Sequence, residues 1–207
     1  MSKDILNKVD KYYTDKIRKY GSTSKGVDWN SKESHFLRFE QLSRVLENKD
    51  NFSILDYGCG FGSYVDFLLE NSFKDFNYTG YDISEDMLLE AKQKYKSDNI
   101  RFLGNIESLK SVNYTIANGI FNVKLDTDVN DWKKYINDTL EIIDSKSDKG
   151  FSFNILTSFS DKEYMKPHLF YADPMYYFNL CKEKFSRNVA LLHDYNLYEF
   201  TIIVRKD

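Results

Sequence analysis

Seven stretches of the chain carry strand chemistry, at 52–57, 78–83, 99–103, 114–118, 150–157, 188–194 and 198–205, and between most of them lie helical patterns. A helix is expected over 63–71, and another over 84–95 with Ser84 as its cap and Glu85 and Asp86 in its first turn, where acids suit the helix dipole. In 131–145 Trp132, Tyr135, Ile136, Leu140 and Ile143 recur at helical spacing, and Asp173-Pro174 opens a further helix as cap and first residue. Alternation of this kind requires a mostly parallel sheet covered by helices on both faces. The last two strands are joined only by Tyr195-Asn196-Leu197, too short for a parallel crossover, so they must form an antiparallel hairpin. Upstream, Asn30 with Glu33 forms a helix-start box, and Phe39, Leu42 and Leu46 form an apolar face. The expectation is one α/β domain over 1–207, with a helical cap in 1–50 and a seven-stranded core in 51–207.

At 207 residues, 16% of them aromatic, the chain can bury a sizeable core. Its net charge of -3 leaves no overall cationic field, so a nucleic-acid backbone would need a local basic patch. The basic runs at Lys16 to Lys19 and Lys92 to Lys96 are interrupted by other residues and read as solvated helix faces, so nucleic acid is not expected as a partner. The N-terminal residues lack the pattern of a leader, and no apolar run has membrane-spanning length; a soluble, cytoplasmic protein without membrane insertion is expected. Cys59 and Cys181 are too few and too differently placed for a disulfide framework, and are expected as free thiols.

The first strand runs into "ILDYGCGFGS", residues 54–63. Glycines at 58, 60 and 62, followed by a helix, let a ligand approach the backbone and the helix N-terminus, which points to a nucleotide-like cofactor. The spacing departs from G-x-G-x-x-G, because Ser63 stands where the third glycine of a dinucleotide site would be. Asp56 sharpens the distinction: its carboxylate would repel the pyrophosphate of NAD but attract a cation.

The motif Asp56-Tyr57-Gly58-Cys59-Gly60-Phe61-Gly62 resembles the first motif of the class I S-adenosylmethionine (SAM) methyltransferases, acid-x-Gly-x-Gly-x-Gly. The resemblance implies a Rossmann-like fold and SAM as cofactor, with S-adenosylhomocysteine as product. On it, Gly58, Cys59 and Gly60 make room for the methionine and ribose, and Asp56 meets the amino group. Asp82, in "YTGYDIS", takes the ribose hydroxyls, and Ile83 packs on the adenine. After the third strand the family usually has an Asp for the adenine amino group; here Asn105 stands there, whose amide oxygen still accepts such a bond, with Ile106 beside it.

Methyl transfer is an in-line displacement that asks mainly for alignment and exclusion of water, and a base only if the acceptor is an alcohol. The acceptor belongs beyond the carboxyl ends of the fourth and fifth strands. There Asn118 is placed to meet SAM or acceptor, while Phe121 is either a wall of the site or core. The aromatic-rich stretch "SFSDKEYMKPHLFYADP" carries His168 and Tyr171 and has the character of a lid. His193, with Asp194 as a possible orienter, is the first candidate for base or acceptor contact, ahead of His168. Upstream, Arg38 is read either as a partner of the SAM carboxylate or as half of a surface ion pair; His35 shares its helix side, and Trp29 either covers the site or packs. No histidine pair has metal-ligand spacing, so no metal is expected. The expected activity is SAM-dependent methylation of a small molecule, best read as O-methylation of a sugar or sugar-linked phosphoryl group in surface-polysaccharide synthesis. The alternatives are N-methylation of a small amine, a non-catalytic SAM-binding protein and, less favoured, an NAD-dependent oxidoreductase. Oligomeric state is left open.

Overall fold

A computed structural model describes residues 3–21 and 31–206. The seven strands form one sheet in the order β3-β2-β1-β4-β5-β7-β6. The strands are β1 (Asp50–Tyr57), β2 (Lys74–Tyr81), β3 (Ile100–Leu103), β4 (Val112–Ala117), β5 (Ser147–Leu156), β6 (Asn188–Leu192) and β7 (Glu199–Arg205). β1 to β5 pair in parallel, whereas β7 lies antiparallel between β5 and β6. The expected terminal hairpin is therefore present, and it carries β6 to the outer edge. β2 ends at Tyr81 and β4 at Ala117, so Asp82, Ile83 and Asn118 stand just beyond the sheet, in the turns at its carboxyl end.

Helices α1 (Lys3–Tyr20), α2 (Lys32–Ser43), α3 (Ser63–Glu70), α4 (Glu85–Lys94), α5 (Val129–Ser145) and α6 (Pro174–Lys184) complete the architecture. Their starts follow local chemistry. The Ser84 hydroxyl accepts from the backbone N–H of Met87, and the Asp173 carboxylate accepts from Met175 N–H with Pro174 opening the helix. α2 is capped by Ser31, which accepts from Ser34 N–H, in place of the expected Asn30, which lies outside the described residues. Two apolar clusters flank the sheet. One is built around Trp132, Ile136, Leu140, Phe151 and Phe153, and the other around Leu42, Ile54, Tyr64, Leu68 and Ile116. The pleat explains the division: along β1, Leu55 and Tyr57 point into the first cluster, while Ile54 points into the second.

No described helix is long and apolar enough to cross a membrane. Both cysteines are buried free thiols.

Candidate active site

The turn after β1 is held by its neighbour β2: the N–H groups of Gly58 and Cys59 both donate to the carbonyl of Tyr81, at 2.7 and 2.9 Å. Gly58 has φ +83, a conformation side chains rarely adopt, and a β-carbon there would collide with Ile120. Across the turn, Asp82 accepts from Gly60 N–H at 2.8 Å and from Ser84 N–H at 2.9 Å, which ties the ends of β1 and β2 together. Burial raises the Asp82 carboxyl above its ordinary value, and these backbone donors oppose the rise.

Two cavities meet at this turn. The larger, about 100 Å³, is lined by Gly58, Gly60, Asp82 and Ile83 together with Asn118 and, from above, α1. The smaller, about 40 Å³, lies toward α2 and is lined by His35, Asp56, Gly58, Cys59, Gly60 and Asn118. Gly58, Gly60 and Asn118 belong to both, so a ligand draped over the turn reaches two chambers. Asp56, only 2% exposed, is the acid of the smaller one. Its Oδ2 accepts from the Tyr78 hydroxyl at 2.9 Å, and burial pushes its pKa up to about 7, with Asp82 adding to the rise. A carboxylate so poorly solvated gains strongly from a cationic partner. His35 is buried beside it, its ring 4.4 Å from that of Phe39, and burial with the nearby Arg38 lowers its pKa to about 3; it is a neutral imidazole.

The acceptor side differs more from expectation. Arg38 turns to the sheet, where its Nε donates to Glu199 Oε2 at 2.8 Å; this is an ion pair, but a buried one and not the expected surface pair, because Arg38 packs against β7. Asn154 Nδ2 donates to Glu199 Oε1 and to Asn118 Oδ1, at 3.0 and 2.9 Å, and Asn154 Oδ1 accepts from Gly119 N–H at 2.7 Å. A buried chain of polar contacts thus runs from α2 through β7 and β5 to Asn118 at the cofactor turn. Neither Glu199 nor Asn154 was legible as a site residue; the available signal was an acid opening the apolar run "EFTIIVR".

Phe121 is fully buried, its ring 5.9 Å from that of Phe153, so it belongs to the core and walls neither chamber. Asn105 is exposed and caps a short 3-10 turn, Ile106–Ser108, with its Oδ1 accepting from Glu107 N–H; neither it nor Ile106 lines the larger cavity. His193 and Asp194 are exposed at the end of β6, four strand spacings from β1, roughly 19 Å at the usual spacing. That distance separates His193 from the cofactor turn. Its ring instead lies 6.1 Å from Phe159 and 6.3 Å from Phe200. His168 is half-buried where the 157–173 loop returns along the β4–α5 connection, its carbonyl accepting from Leu125 N–H. Burial and then Lys166, Lys16 and Lys124 lower its pKa below the ordinary histidine value. Tyr171, in the same loop, accepts Lys166 N–H at its hydroxyl. Trp29 lies outside the described residues. Among the described residues no cluster of three His, Cys, Asp or Glu could hold a metal ion.

Comparison with known proteins agrees with this geometry. A family described as "Methyltransferase domain" matches residues 54–143. The Mycobacterium tuberculosis protein named "Putative methyltransferase Rv1506c" is 44% identical over 164 residues, covering 79% of this chain and 98% of that protein. Among solved structures, magnesium protoporphyrin IX methyltransferase from Synechocystis PCC 6803 with bound SAM superposes with a TM-score of 0.66 at 16% identity, over 100% of this chain and 99% of that one. A DhpI complex with S-adenosylhomocysteine gives 0.67 at 13% identity, over 98% and 97%. At such identities these two establish the fold alone.

Proposed function

This chain belongs to the class I SAM-dependent methyltransferases, and from that premise we propose that it methylates a hydroxyl of a small, sugar-like acceptor. SAM is the cofactor, and when bound it supplies an activated methyl group on a positively charged sulfur. Around it Asp56 holds the amino group in the smaller chamber, Asp82 holds the ribose hydroxyls, and Gly58 and Gly60 admit the chain between them. Asn118, fixed by Asn154, orients the donor at the end of β4.

The acceptor reading rests on one observation, an exposed aromatic cluster on the edge of the sheet that carries the cofactor turn. Phe159, Tyr164 and Tyr198 are 74%, 60% and 45% exposed, an unusual solvent burden for three large rings. The rings of Tyr164 and Tyr198 lie 6.0 Å apart, Phe159 adjoins His193, and the Tyr198 hydroxyl donates to Asp161 at 2.5 Å. Flat rings stack on the C–H faces of a sugar, and the carboxylate of Asp161 beside them accepts from its hydroxyls. The same carboxylate disfavours a phosphoryl acceptor and favours an amine, which makes a small amine the second substrate class to test.

His168 is the base of this proposal, ahead of His193. It is the histidine beside α1 and the β4–α5 connection, and its lowered pKa keeps it neutral and able to accept a proton near pH 7. His193 and Asp194, four strand spacings from β1, lie out of reach of a small acceptor aligned at the cofactor turn and take no part in it. The test is a panel of sugars, sugar phosphates and amines incubated with SAM and read by mass spectrometry for gain of a methyl group, followed by variants with the acceptor found. His168→Asn is expected to lower kcat about a hundredfold with unchanged cofactor affinity, and His193→Asn to leave kcat and KM near those of the parent. In the parent the rate should rise with pH through a value below about 6.5 and then level, because the base works unprotonated. Normal turnover in His168→Asn removes the base assignment, and methylation of amines alone removes the sugar.

A further inference from the structure

The buried chain of polar contacts from α2 to the cofactor turn has a polarity, and it is fixed at both ends. At one end Gly119 N–H donates to Asn154 Oδ1 at 2.7 Å; a backbone N–H accepts nothing, so the oxygen of the Asn154 amide must face it. At the other end Glu199, paired with Arg38, offers only acceptors. Its Oε2 is taken by Arg38 Nε at 2.8 Å, and its Oε1 accepts from Asn154 Nδ2 at 3.0 Å. Arg38 is braced in turn by Ser34 O, which accepts from its Nη1 at 2.9 Å. The second hydrogen of Asn154 Nδ2 then goes to Asn118 Oδ1 at 2.9 Å. Turning the Asn118 amide would set two NH2 groups against each other. Its oxygen therefore stays on Asn154, and N–H groups are what Asn118 presents to the two chambers it lines.

Asn154 and Glu199 are buried on the adjacent strands β5 and β7. A buried ion pair is a weak source of stability beside the apolar side chains of similar size that could fill the same space. What the pair supplies here is direction. An amide held with its N–H groups toward the cofactor turn discriminates between nucleophiles by their lone pairs. A hydroxyl oxygen has two, so one accepts from Asn118 while the other attacks the methyl group. A neutral amine nitrogen has one, and giving it to Asn118 removes the nucleophile.

We propose that Asn118, oriented by Asn154 and Glu199, selects an oxygen nucleophile over an amine. The proposal rests on the methyltransferase reading with its sugar acceptor, and adds the device that decides between hydroxyl and amine. In the step, one oxygen lone pair forms the C–O bond, the S–C bond breaks with its electron pair going to sulfur, and the hydroxyl proton passes to His168; Asn118 keeps its hydrogens. Asn154 and Glu199 are positioning residues, and a polarity swap tests them. Asn154→Asp combined with Glu199→Gln keeps net charge and shape but puts an oxygen where Asn154 Nδ2 was, so that Asn118 turns its own oxygen to the chambers. Asn118→Asp reaches the same end by one change, its carboxylate still accepting from Asn154. The probes are glucose, galactose and mannose against their 2-amino-2-deoxy counterparts, incubated with SAM at about pH 9, above the range of an α-amino group, with methyl gain and position read by mass spectrometry. The parent is expected to favour oxygen over nitrogen at least tenfold in kcat/KM. Both variants should lose at least tenfold of that ratio, the double variant binding S-adenosylhomocysteine within threefold of the parent. A parent that favours nitrogen overturns the proposal, as does an unchanged ratio in the double variant; should the latter not fold, an unchanged ratio in Asn118→Asp overturns it equally. A parent that binds S-adenosylhomocysteine yet methylates neither set removes the sugar acceptor and this proposal with it, and one that binds none removes the methyltransferase reading itself.

Discussion

Replacing Asp56 by Asn should make the free protein more stable and a poorer binder of its cofactor, two effects of one buried charge. The Asp56 carboxyl, 2% exposed, is held at about 7 against 3.8 for the ordinary group, burial being the main cause and the Tyr78 hydroxyl acting against it. Between about pH 4 and pH 7 the folded chain keeps a proton that the unfolded chain has released, so stability falls as pH rises through this window and is flat above it. The penalty is on the order of 4 kcal/mol at pH 8 and on the order of 1.5 kcal/mol at pH 5. An amide at position 56 still accepts from Tyr78 and carries no charge. We expect Asp56→Asn to gain about 2 kcal/mol at pH 8, less than the full penalty because the amide is itself desolvated, and to lose most of the slope between pH 5 and pH 8. Urea denaturation of both proteins across that range measures this. Binding runs the other way: the ionised carboxylate is the form that holds an ammonium, so parent affinity for S-adenosylhomocysteine should rise with pH up to about 7, with proton release below it. The variant should bind at least tenfold more weakly and release no proton from this site. An Asn variant that is less stable at pH 8, or that keeps the parent's pH slope, would refute the reasoning.

Asp82→Ala should weaken S-adenosylhomocysteine tenfold to a hundredfold, about 1.5–3 kcal/mol, by calorimetry; parent-like affinity would remove the ribose assignment. Gly80→Ala places a methyl 2.7 Å from both Cys59 Sγ and Phe102 Cδ1, so a loss of about 1–3 kcal/mol in urea is expected, and an unchanged midpoint would show that the glycine turn yields freely. Glu199→Gln takes the carboxylate from the buried pair with Arg38 and should cost about 3 kcal/mol, whereas the double variant Arg38→Met, Glu199→Leu should recover much of it. Thermal melts that rank the double variant below the single one would show that the pair stabilises the fold outright.

The sheet was readable because each strand keeps its own period and the short link forces the last two strands into a hairpin; which of the two lies against β5 does not follow from the link, and the place of β7 there is what the family resemblance implies. Positions at the end of a strand were readable for the same reason, since Asp56 and Asp82 inherit their direction from β1 and β2 and line the two chambers at the turn. Positions governed by contacts distant in sequence were not. Asn105 looks like a ligand acceptor until its oxygen caps the following turn, a local bond that competes for the same lone pairs. His193 stands at the expected sheet edge but too far along it, because strand order sets a distance that strand direction does not. Arg38 and Glu199 are 161 positions apart, and nothing local to either announces the other. Lys16 to Lys19 read only as a solvated helix face, and that the other side of α1 lines a chamber at the glycine turn appears only with the fold.

The loop that carries the aromatic cluster leaves and rejoins the sheet at one place. Thr157 and Ala172 bridge each other, with Ser158 N–H donating to Ala172 O and Ala172 N–H to Leu156 O, both at 2.8 Å. Residues 168–170 are further pinned to the β4–α5 connection, by the bridge of Leu169 with Val123 and the bond from Phe170 N–H to the Asn122 carbonyl, so the stretch 158–167 is the part that can be lengthened, shortened or replaced at small entropic cost to the strands that bear it. The fold thus has an interchangeable nozzle. On the proposed reading this stretch meets the acceptor while Asp56 and Asp82 serve the cofactor, and a graft of 158–167, which leaves His168 and the buried Phe170 in place, is the unit by which to transplant substrate choice.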